Sequence, residues 1–353
     1  MSLFIILFIL IALFAVMDYY SQHNIGLFLS AIVLAVVAGI RYNVGYDYQS
    51  YYWYYQSGQN IGNGERFQWG FILLNKIAHF LHFSFFDFQF LFACLTIGLL
   101  AVFLYKNIPA GISGLGMLYY FSRFFWTRDL GQIRSSLASV ICLYSLKYIK
   151  ERKPIPFLVV ILLAGSIHKG AYIFIFAYIF ANYIDRSLSM VWVSSLLVVS
   201  LIVGTVLQHV PGLVEKITNG GVYITSDFYT QNSTASVSTL VMQVLVIFAF
   251  MLMKKWQGQI NPFMNTLMNV YITGTMIAFV FIGYKTFGYR LDTILNTTEI
   301  MIVPYIIQKV SKNKIMTLVL TILVSAIVLY LIMFISKAYL NFIPFKTIFS
   351  PIK

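Results

Sequence analysis

The sequence predicts an all-α fold, a polytopic transmembrane helical bundle that forms a single integral membrane domain over residues 1–353. Composition is the first reason, because 60% of the residues are hydrophobic and 10% are charged, whereas a soluble domain is about a quarter charged. The second reason is that apolar runs such as 188–207 and 315–335 are continuous, while the strands of a membrane barrel alternate between apolar and polar residues. Only helices and closed barrels satisfy the backbone in lipid, so the chain is expected to cross the membrane as helices.

The continuous apolar runs are the candidate spans. One further apolar stretch contains a short polar sequence and is counted as two spans. Residues 155–183 are interrupted by His168-Lys169-Gly170, which predicts two short helices that meet at the far side of the membrane. The first run lacks a basic start and a cleavage site, so it is expected to be a span and not a signal peptide. These segments give about twelve spans with both termini outside. The continuous runs are 1–17, 25–40, 85–105, 110–127, 129–150, 188–208, 238–253, 264–283, 290–308 and 315–335.

Segment 67–83 differs from the spans because polar residues are mixed with its Phe, Leu and Ile residues. This mixture predicts an amphipathic or re-entrant helix at the outer surface. Its His79 and His82 lack carboxylate or cysteine company, so they do not indicate a metal. Cys94 and Cys142 lie inside apolar runs and are expected to be small buried hydrophobic residues. No metal, disulfide framework or cofactor is therefore predicted.

The net charge of +13 does not indicate a nucleic-acid-binding protein, because the basic residues are scattered and form no basic patch. They collect instead at the ends of three apolar runs, as the positive-inside rule describes for cytoplasmic loops. The outer face then receives the loops 41–66 and 209–237, the second of which is a candidate polar lid. The cytoplasmic clusters are Lys147, Lys150, Arg152 and Lys153; Lys254 and Lys255; and Lys309, Lys312 and Lys314.

Four arginines, Arg41, Arg128, Arg134 and Arg290, lie on the outer side of this topology, within or at the edge of membrane helices. A charged side chain at a helix centre costs about 2.5–3.5 kcal/mol on insertion scales, so several retained arginines suggest an anionic ligand. The guanidinium fork suits phosphate and pyrophosphate because it binds two oxygens at once. The alternative is an ion pair with Asp129 or the anchoring of a helix end, which applies most directly to Arg128.

Candidate proton acceptors and sugar-binding residues accompany these arginines. Asp47 either acts as a general base or holds Arg41 in place. His168 is either a hydrogen-bonded packing residue or a proton acceptor at the helix corner, and we favour it slightly over Asp47 as the base. Asp292 either contacts sugar or complements the positive end of its helix. Tyr48 and Tyr51 belong to an aromatic cluster that indicates either an interfacial belt or a platform for sugar rings.

Several segments together resemble the EpsG family of membrane proteins, relatives of Wzy-type polysaccharide polymerases. Residues 41–51 resemble the family's R-x-x-V-G-x-D-[YF]-x-x-Y segment, and 133–149 resemble its IRQ-x-x-A segment and basic loop. Residues 164–168 are similar to its A-S-x-F-H corner. Arg290 with 303–305 matches its late R…[LV]-P-Y helix, and the tail 343–350 also has a counterpart. The likeness runs in order from about residue 35 to the end.

The chain departs from the family pattern at three positions. Ser135 replaces a glutamine, Gly170 stands where a serine is usual, and Tyr46 stands where a threonine is usual. The resemblance therefore implies no hydrogen-bonding role for these three positions.

The resemblance implies a glycosyltransferase that joins oligosaccharide repeat units carried on undecaprenyl pyrophosphate. It also implies a multi-pass protein of the bacterial inner (cytoplasmic) membrane, with the site facing the periplasm or exterior. The partners it implies are the lipid-linked oligosaccharide, membrane lipid and a chain-length regulator protein. The arginines would then hold the departing pyrophosphate. The alternatives are a ligase that transfers the glycan to another acceptor, and a transporter or flippase of the precursor.

Overall fold

The computed structural model describes residues 2–57, 67–184, 189–210, 237–258, 260–311 and 313–350, and all its regular elements in these ranges are helical. The extended backbone is limited there to an isolated bridge between Arg41 and Thr347. The all-α class is therefore confirmed. Residues 211–236 of the predicted polar lid and Lys312 of a predicted cytoplasmic cluster lie outside the described residues.

The helices follow the apolar runs in chain order. The α-helices are α1 (Ser2–Ser21), α2 (Ile25–Gly39), α3 (Tyr48–Gln56), α4 (Trp69–Phe80), α5 (Phe85–Asn107), α6 (Ser113–Tyr120), α7 (Trp126–Arg128), α8 (Ile133–Leu143), α9 (Leu146–Lys150), α10 (Pro154–Ile167), α11 (Phe174–Ile179), α12 (Met190–Leu207), α13 (Val237–Gln257), α14 (Pro262–Val280), α15 (Lys285–Leu295), α16 (Glu299–Val310) and α17 (Lys314–Tyr330). Short π or 3-10 segments lie at Phe121–Phe125, Lys169–Ile173, Phe180–Ile184, Asn296–Thr298, Leu331–Ile335 and Ala338–Asn341.

The chain forms two compact units, the first of which comprises residues 1–144, 162–169 and 303–353. In this unit α1 and α2 are joined by Asp18, whose carboxylate accepts hydrogen bonds from the backbone N–H groups of Gly26 and Leu27 at 2.6 and 2.7 Å. A Cβ added at Gly26 would lie 2.1 Å from the carbonyl oxygen of Phe14, so the two helices touch backbone to backbone. α2 then packs along α5. This packing fixes the end of α2, where the Arg41 segment begins.

The second unit comprises residues 145–161 and 170–302, and α14 packs there against α12, α13 and α15. Small residues allow these close approaches, as is usual for helices packed in membranes. A Cβ at Gly204 of α12 would lie 2.0 Å from the carbonyl oxygen of Phe279, and one at Gly274 of α14 would lie 2.2 Å from the side-chain oxygen of Asn296.

Six helices in the described part of the chain are long and apolar enough to cross a membrane, so the chain is a multi-pass membrane protein. The predicted number of about twelve spans is not confirmed, because several other apolar helices have fewer than 18 residues. The six are Leu3–Ser21, Phe85–Asn107, Met190–Leu207, Val237–Gln257, Pro262–Val280 and Lys314–Ile335, and the shorter ones are Ile25–Gly39, Pro154–Ile167 and Lys169–Asn182.

The predicted spans 129–150 and 290–308 are interrupted in the structure, so neither is one continuous helix. The run 129–150 opens with a turn at 129–132, where a Cβ on Gly131 would lie 2.3 Å from the carbonyl oxygen of Thr127. The run 290–308 is divided by the 3-10 segment Asn296–Thr298, where threonine hydroxyls bond back to carbonyls of the preceding turn. Such bonds compete with regular helix geometry. The predicted break at His168 is confirmed, because α10 ends at Ile167 and a 3-10 segment begins at Lys169.

Candidate functional site

The loop after α2 holds the motif Arg41 to Tyr48, and Gly45 determines its path. Gly45 has a φ of +107°, and a Cβ there would lie 1.9 Å from the carbonyl oxygen of Leu130. Only glycine adopts this conformation at such a close approach without strain. The backbone N–H of Asp47 donates to the carbonyl of Gly131 at 3.2 Å. The loop is therefore seated directly on the 129–132 turn.

The tail of the chain holds the other side of the same loop. The N–H of Tyr42 donates to the carbonyl of Lys346, and the N–H of Ile348 donates to that of Ile40, both at 2.9 Å. The Gln89 amide of α5 donates to the carbonyls of Gly39 and Arg41 at 2.7 and 2.9 Å. These bonds hold the arginine loop between the tail and α5.

Arg41 itself is turned inward. Its side chain is 1% exposed, and one terminal nitrogen donates to the carbonyl of Ala38. The guanidinium carbon lies 6.0 Å from the centre of the Tyr48 ring. Burial lowers the pKa of Arg41 to about 10, so the group stays cationic at neutral pH. Because the guanidinium is surrounded by protein, its electrostatic interactions with neighbouring groups are screened less than they would be in water.

The 129–132 turn carries a buried carboxylate. Asp129 is 3% exposed and accepts hydrogen bonds from the Tyr120 hydroxyl at 2.6 Å and the Ser136 hydroxyl at 2.8 Å. Burial raises the pKa of Asp129 to about 6, although the positive charges of Arg128 and Arg41 favour its ionised form. Asp129 therefore interacts electrostatically with both predicted arginines. Arg128 is itself buried, and its guanidinium carbon lies 4.2 Å from the centre of the Phe124 ring.

Arg134 lies in the first turn of α8 and is only partly buried. It donates from a terminal nitrogen to the side-chain oxygen of Gln68 at 3.0 Å. Its guanidinium carbon lies 4.4 Å from the centre of the Phe67 ring, 5.5 Å from that of Phe71 and 5.7 Å from that of Tyr51. Stacking on aromatic faces and one polar contact fix the plane of the fork.

The His168 corner packs beside the start of α4. A Cβ on Gly70 would lie 2.3 Å from the Ser166 hydroxyl oxygen and 2.8 Å from its carbonyl oxygen, so α4 and the end of α10 touch directly. Gly70 lies two residues after Gln68, the partner of Arg134. His168 is partly buried, and its N–H donates to the carbonyl of Ala164 at 3.0 Å. The histidine corner and Arg134 thus meet the same short stretch, 67–71.

The other predicted residues of the first unit lie on α3. Asp47 is partly exposed at the N-cap position, and its side chain does not cap the helix. Tyr48 and Tyr51 are each 3% exposed, with their rings packed near those of Phe85 and Phe71 respectively. Their predicted contact with sugar stays a prediction.

Arg290 and Asp292 belong to the second unit. Asp292 is 1% exposed, and its carboxylate accepts a hydrogen bond from the Gln243 amide at 2.7 Å. The helix α15 begins at Lys285, so Asp292 lies about two turns in and cannot complement the positive end. That interpretation is wrong, and Gln243 is the partner observed instead. Arg290 is partly buried on the same helix.

Sequence reasoning missed the partners of the arginines. Gln68 belongs to segment 67–83, whose mixture of polar and apolar residues predicted only a surface helix, and the sequence indicated Asp129 only as an ion-pair partner. Arg123 was not singled out, although it is buried in the π-segment with its guanidinium carbon 4.9 Å from the Phe124 ring centre. A useful signal was available, because a charged residue inside an aromatic run is costly to bury.

The fold and these side chains define an all-helical, multi-pass membrane protein with several buried or partly buried arginines. The chain belongs to the EpsG family, a family of Wzy-like polymerases, whose model matches residues 24–347. This confirms the resemblance drawn from the motifs and makes the chain a membrane protein of polysaccharide biosynthesis. Comparisons with curated proteins and with solved structures found no match.

Proposed function

We propose that this protein polymerises polysaccharide from repeat units carried on undecaprenyl pyrophosphate, at the outer face of the cytoplasmic membrane. The observation that carries the proposal is the partly buried Arg134, whose guanidinium is oriented by Gln68 and three aromatic rings. A fork held in one plane suits a pyrophosphate, because it offers two parallel N–H groups to phosphate oxygens. Membership of the EpsG family supports the polymerase class.

The reaction breaks the bond between the sugar anomeric carbon and the pyrophosphate oxygen of the donor. A bond forms between that carbon and a hydroxyl oxygen of the acceptor unit, and the lipid pyrophosphate leaves. Arg134 stabilises the negative charge that develops on the leaving pyrophosphate. Among the described residues, Arg134 donates a hydrogen bond from one terminal nitrogen, to Gln68, so the guanidinium retains N–H groups for phosphate oxygens.

The other predicted arginines take different parts in this proposal. Arg41 and Arg128 are almost fully buried, so they act chiefly through their electrostatic field. Arg290 is partly buried, and we assign it a pyrophosphate contact. Tyr48, Tyr51 and Asp292 are buried to a similar extent, so we assign them to the packing around the sugar site.

The proton of the acceptor hydroxyl passes to His168 or Asp47. Both side chains are partly exposed, as a general base that meets substrate must be. His168 is favoured because its corner packs on the stretch that holds Arg134, through Gly70 and Ser166. Asp47 instead lies in the Arg41 loop, where it can serve as a partner of that loop.

The test is reconstitution of the purified protein with lipid-linked repeat units, extracted from cells that lack its gene. A ladder of glycan lengths is expected. A single transfer product would indicate the ligase, and movement of the units across the bilayer without any covalent product would indicate the flippase.

Variants of Arg134 test the role of the fork. Arg134→Ala is expected to lower the rate by roughly 10²–10³, the usual cost of losing one donor to developing charge. Arg134→Lys should also fail substantially, because an ammonium does not provide a planar fork. The exposed Arg152 offers a matched control, and Arg152→Ala should leave the ladder intact. Wild-type product lengths from Arg134→Ala would contradict the proposal.

A further inference from the structure

The carboxylate of Asp129 connects three parts of the first unit. Its two oxygens accept from Tyr120 at the end of α6 and from Ser136 in α8. The Tyr120 and Ser136 hydroxyls are themselves 3.2 Å apart, which closes a three-membered network. Hydrogen bonds to an ionised acceptor are roughly twice as strong as neutral ones. Because the Asp129 side chain is 3% exposed, water does not compete for these hydrogen bonds.

The network leads directly to Arg134. Ser136 lies two residues after Arg134 in the first turns of α8, where the N–H of Ser136 donates to the carbonyl of Gln132 at 3.0 Å. Asp129 therefore fixes the start of the helix that carries the fork. A displacement there would move the guanidinium relative to Gln68 and the Phe67 ring.

The same carboxylate leads to Arg41 along two routes. The charge of Arg41 acts on Asp129 directly. The turn that carries Asp129 also seats the arginine loop, through the contact of Gly45 with Leu130 and the bond from the Asp47 N–H to the Gly131 carbonyl. Tyr51 adjoins both arginines, because its ring centre lies 5.7 Å from the guanidinium carbon of Arg134 and its phenol group interacts electrostatically with Arg41.

We propose that Asp129 is a positioning residue for Arg134 and Arg41, which fixes the first turn of α8 through Ser136 and balances the buried charge of Arg41. The inference rests on the proposed function, in which Arg134 holds the pyrophosphate. Asp129 is not a catalytic residue in this scheme, because it contacts Tyr120 and Ser136 and not the reacting atoms. Asp129 positions Arg134 and Arg41 in its ionised form.

The first test is the acid limb of the pH–rate profile. The groups that face Asp129 are Arg41, Arg128 and Tyr120, which can carry charge, and the neutral Ser136. Because burial raises the pKa of Asp129 to about 6, turnover of the wild type should fall as the pH drops through this region. Tyr120→Phe removes a hydrogen bond to the ionised form, so the pKa rises and the acid limb moves to higher pH.

The matched control is Tyr144→Phe, which removes another tyrosine hydroxyl from the same unit, one that donates to the carbonyl of Leu99 at 2.8 Å. This variant should leave the acid limb in place. Asp129→Asn should lower turnover at neutral pH at least tenfold, because its amide carries no charge at any pH. A Tyr120→Phe profile that superimposes on the wild type, or wild-type turnover by Asp129→Asn at neutral pH, would overturn the proposal.

The second test does not depend on turnover, so it separates this inference from the proposed function. Amide hydrogen exchange over residues 133–137 is measured in detergent for the wild type, Ser136→Ala, Asp129→Asn and Tyr144→Phe. Exchange should rise at least tenfold in Ser136→Ala and Asp129→Asn and stay unchanged in Tyr144→Phe. If the wild type makes no glycan, the proposed function fails, while unchanged exchange in both network variants would refute the positioning role of Asp129.

Discussion

At the scale of single residues, the neighbours of each arginine determine how exposed its guanidinium is and how it is oriented. Arg41 is turned inward against a carbonyl, whereas Arg134 is held in the first turn of a helix by an amide and aromatic rings. Charge and position in the sequence predicted that both meet an anion. They did not predict the difference in exposure, which depends on Phe67, Gln68 and the path of a loop. The loop path in turn depends on Gly45.

Gly45→Ala is expected to weaken both the fold and the activity. A non-glycine residue in such a strained backbone conformation costs about 1–3 kcal/mol, and the added Cβ would also collide with the Leu130 carbonyl. Thermal unfolding in detergent and glycan synthesis by membranes measure the two effects.

Gly98 provides the control, because it lies within α5 and a Cβ there meets nothing within 4 Å. Gly98→Ala should be neutral or slightly stabilising, since alanine is favoured in a helix by up to about 1 kcal/mol over glycine. Equal behaviour of the two alanine variants would contradict the role given to Gly45.

At the scale of elements, the apolar runs predicted where most helices lie but not where they break. Runs such as 188–208 and 264–283 became the continuous helices α12 and α14. The breaks at 129–132 and 296–298 depend on Gly131 and on threonine side chains. Glycine and threonine also occur inside continuous membrane helices, so the hydropathy of the run does not predict a break at these positions. The pairing of the tail with the arginine loop was also beyond sequence reasoning. It is a contact between segments far apart in the chain, although the two motifs were recognised together.

Removal of residues 346–353 is expected to disable the protein while most of its helices still form. It deletes the carbonyl of Lys346 and the N–H of Ile348, which bond to Tyr42 and Ile40. Amide exchange over residues 40–48 should increase at least tenfold, and glycan synthesis should fall to a similar degree.

A shorter truncation that removes 351–353 leaves these bonds in place, so it should keep the wild-type exchange and activity. If the longer truncation retained both properties, the tail could not be what secures the Arg41 loop.

At the scale of the whole molecule, composition predicted a helical membrane protein. The reason is that a chain this apolar faces lipid, where the backbone N–H and C=O groups must be hydrogen-bonded within the protein. The number of spans was harder to predict, since hydropathy does not distinguish a short helix that crosses from one that is buried among others. The helices α2 and α10 are apolar but shorter than 18 residues, so hydropathy alone does not assign them to either kind. The orientation in the membrane stays a prediction that rests on the lysine clusters.

Cysteine labelling of intact cells tests that orientation, against a background in which Cys94 and Cys142 are replaced. Gln49→Cys, on the exposed face of α3, should react with an impermeant maleimide added from outside. Lys254→Cys, at the end of α13, should react only after the cells are permeabilised. Labelling of position 254 in intact cells would reverse or refute the topology.

The hydrogen bonds between the Arg41 loop and residues 346–348 also determine when the loop can be completed during synthesis. The loop emerges from the ribosome more than three hundred residues before its partner, a delay of about 15–60 s at roughly 5–20 residues per second. During that interval the membrane machinery handles a chain whose arginine loop still lacks its closing hydrogen bonds. A nascent chain already inserted in the bilayer is therefore incomplete at this loop until residues 346–348 have been made and pair with it.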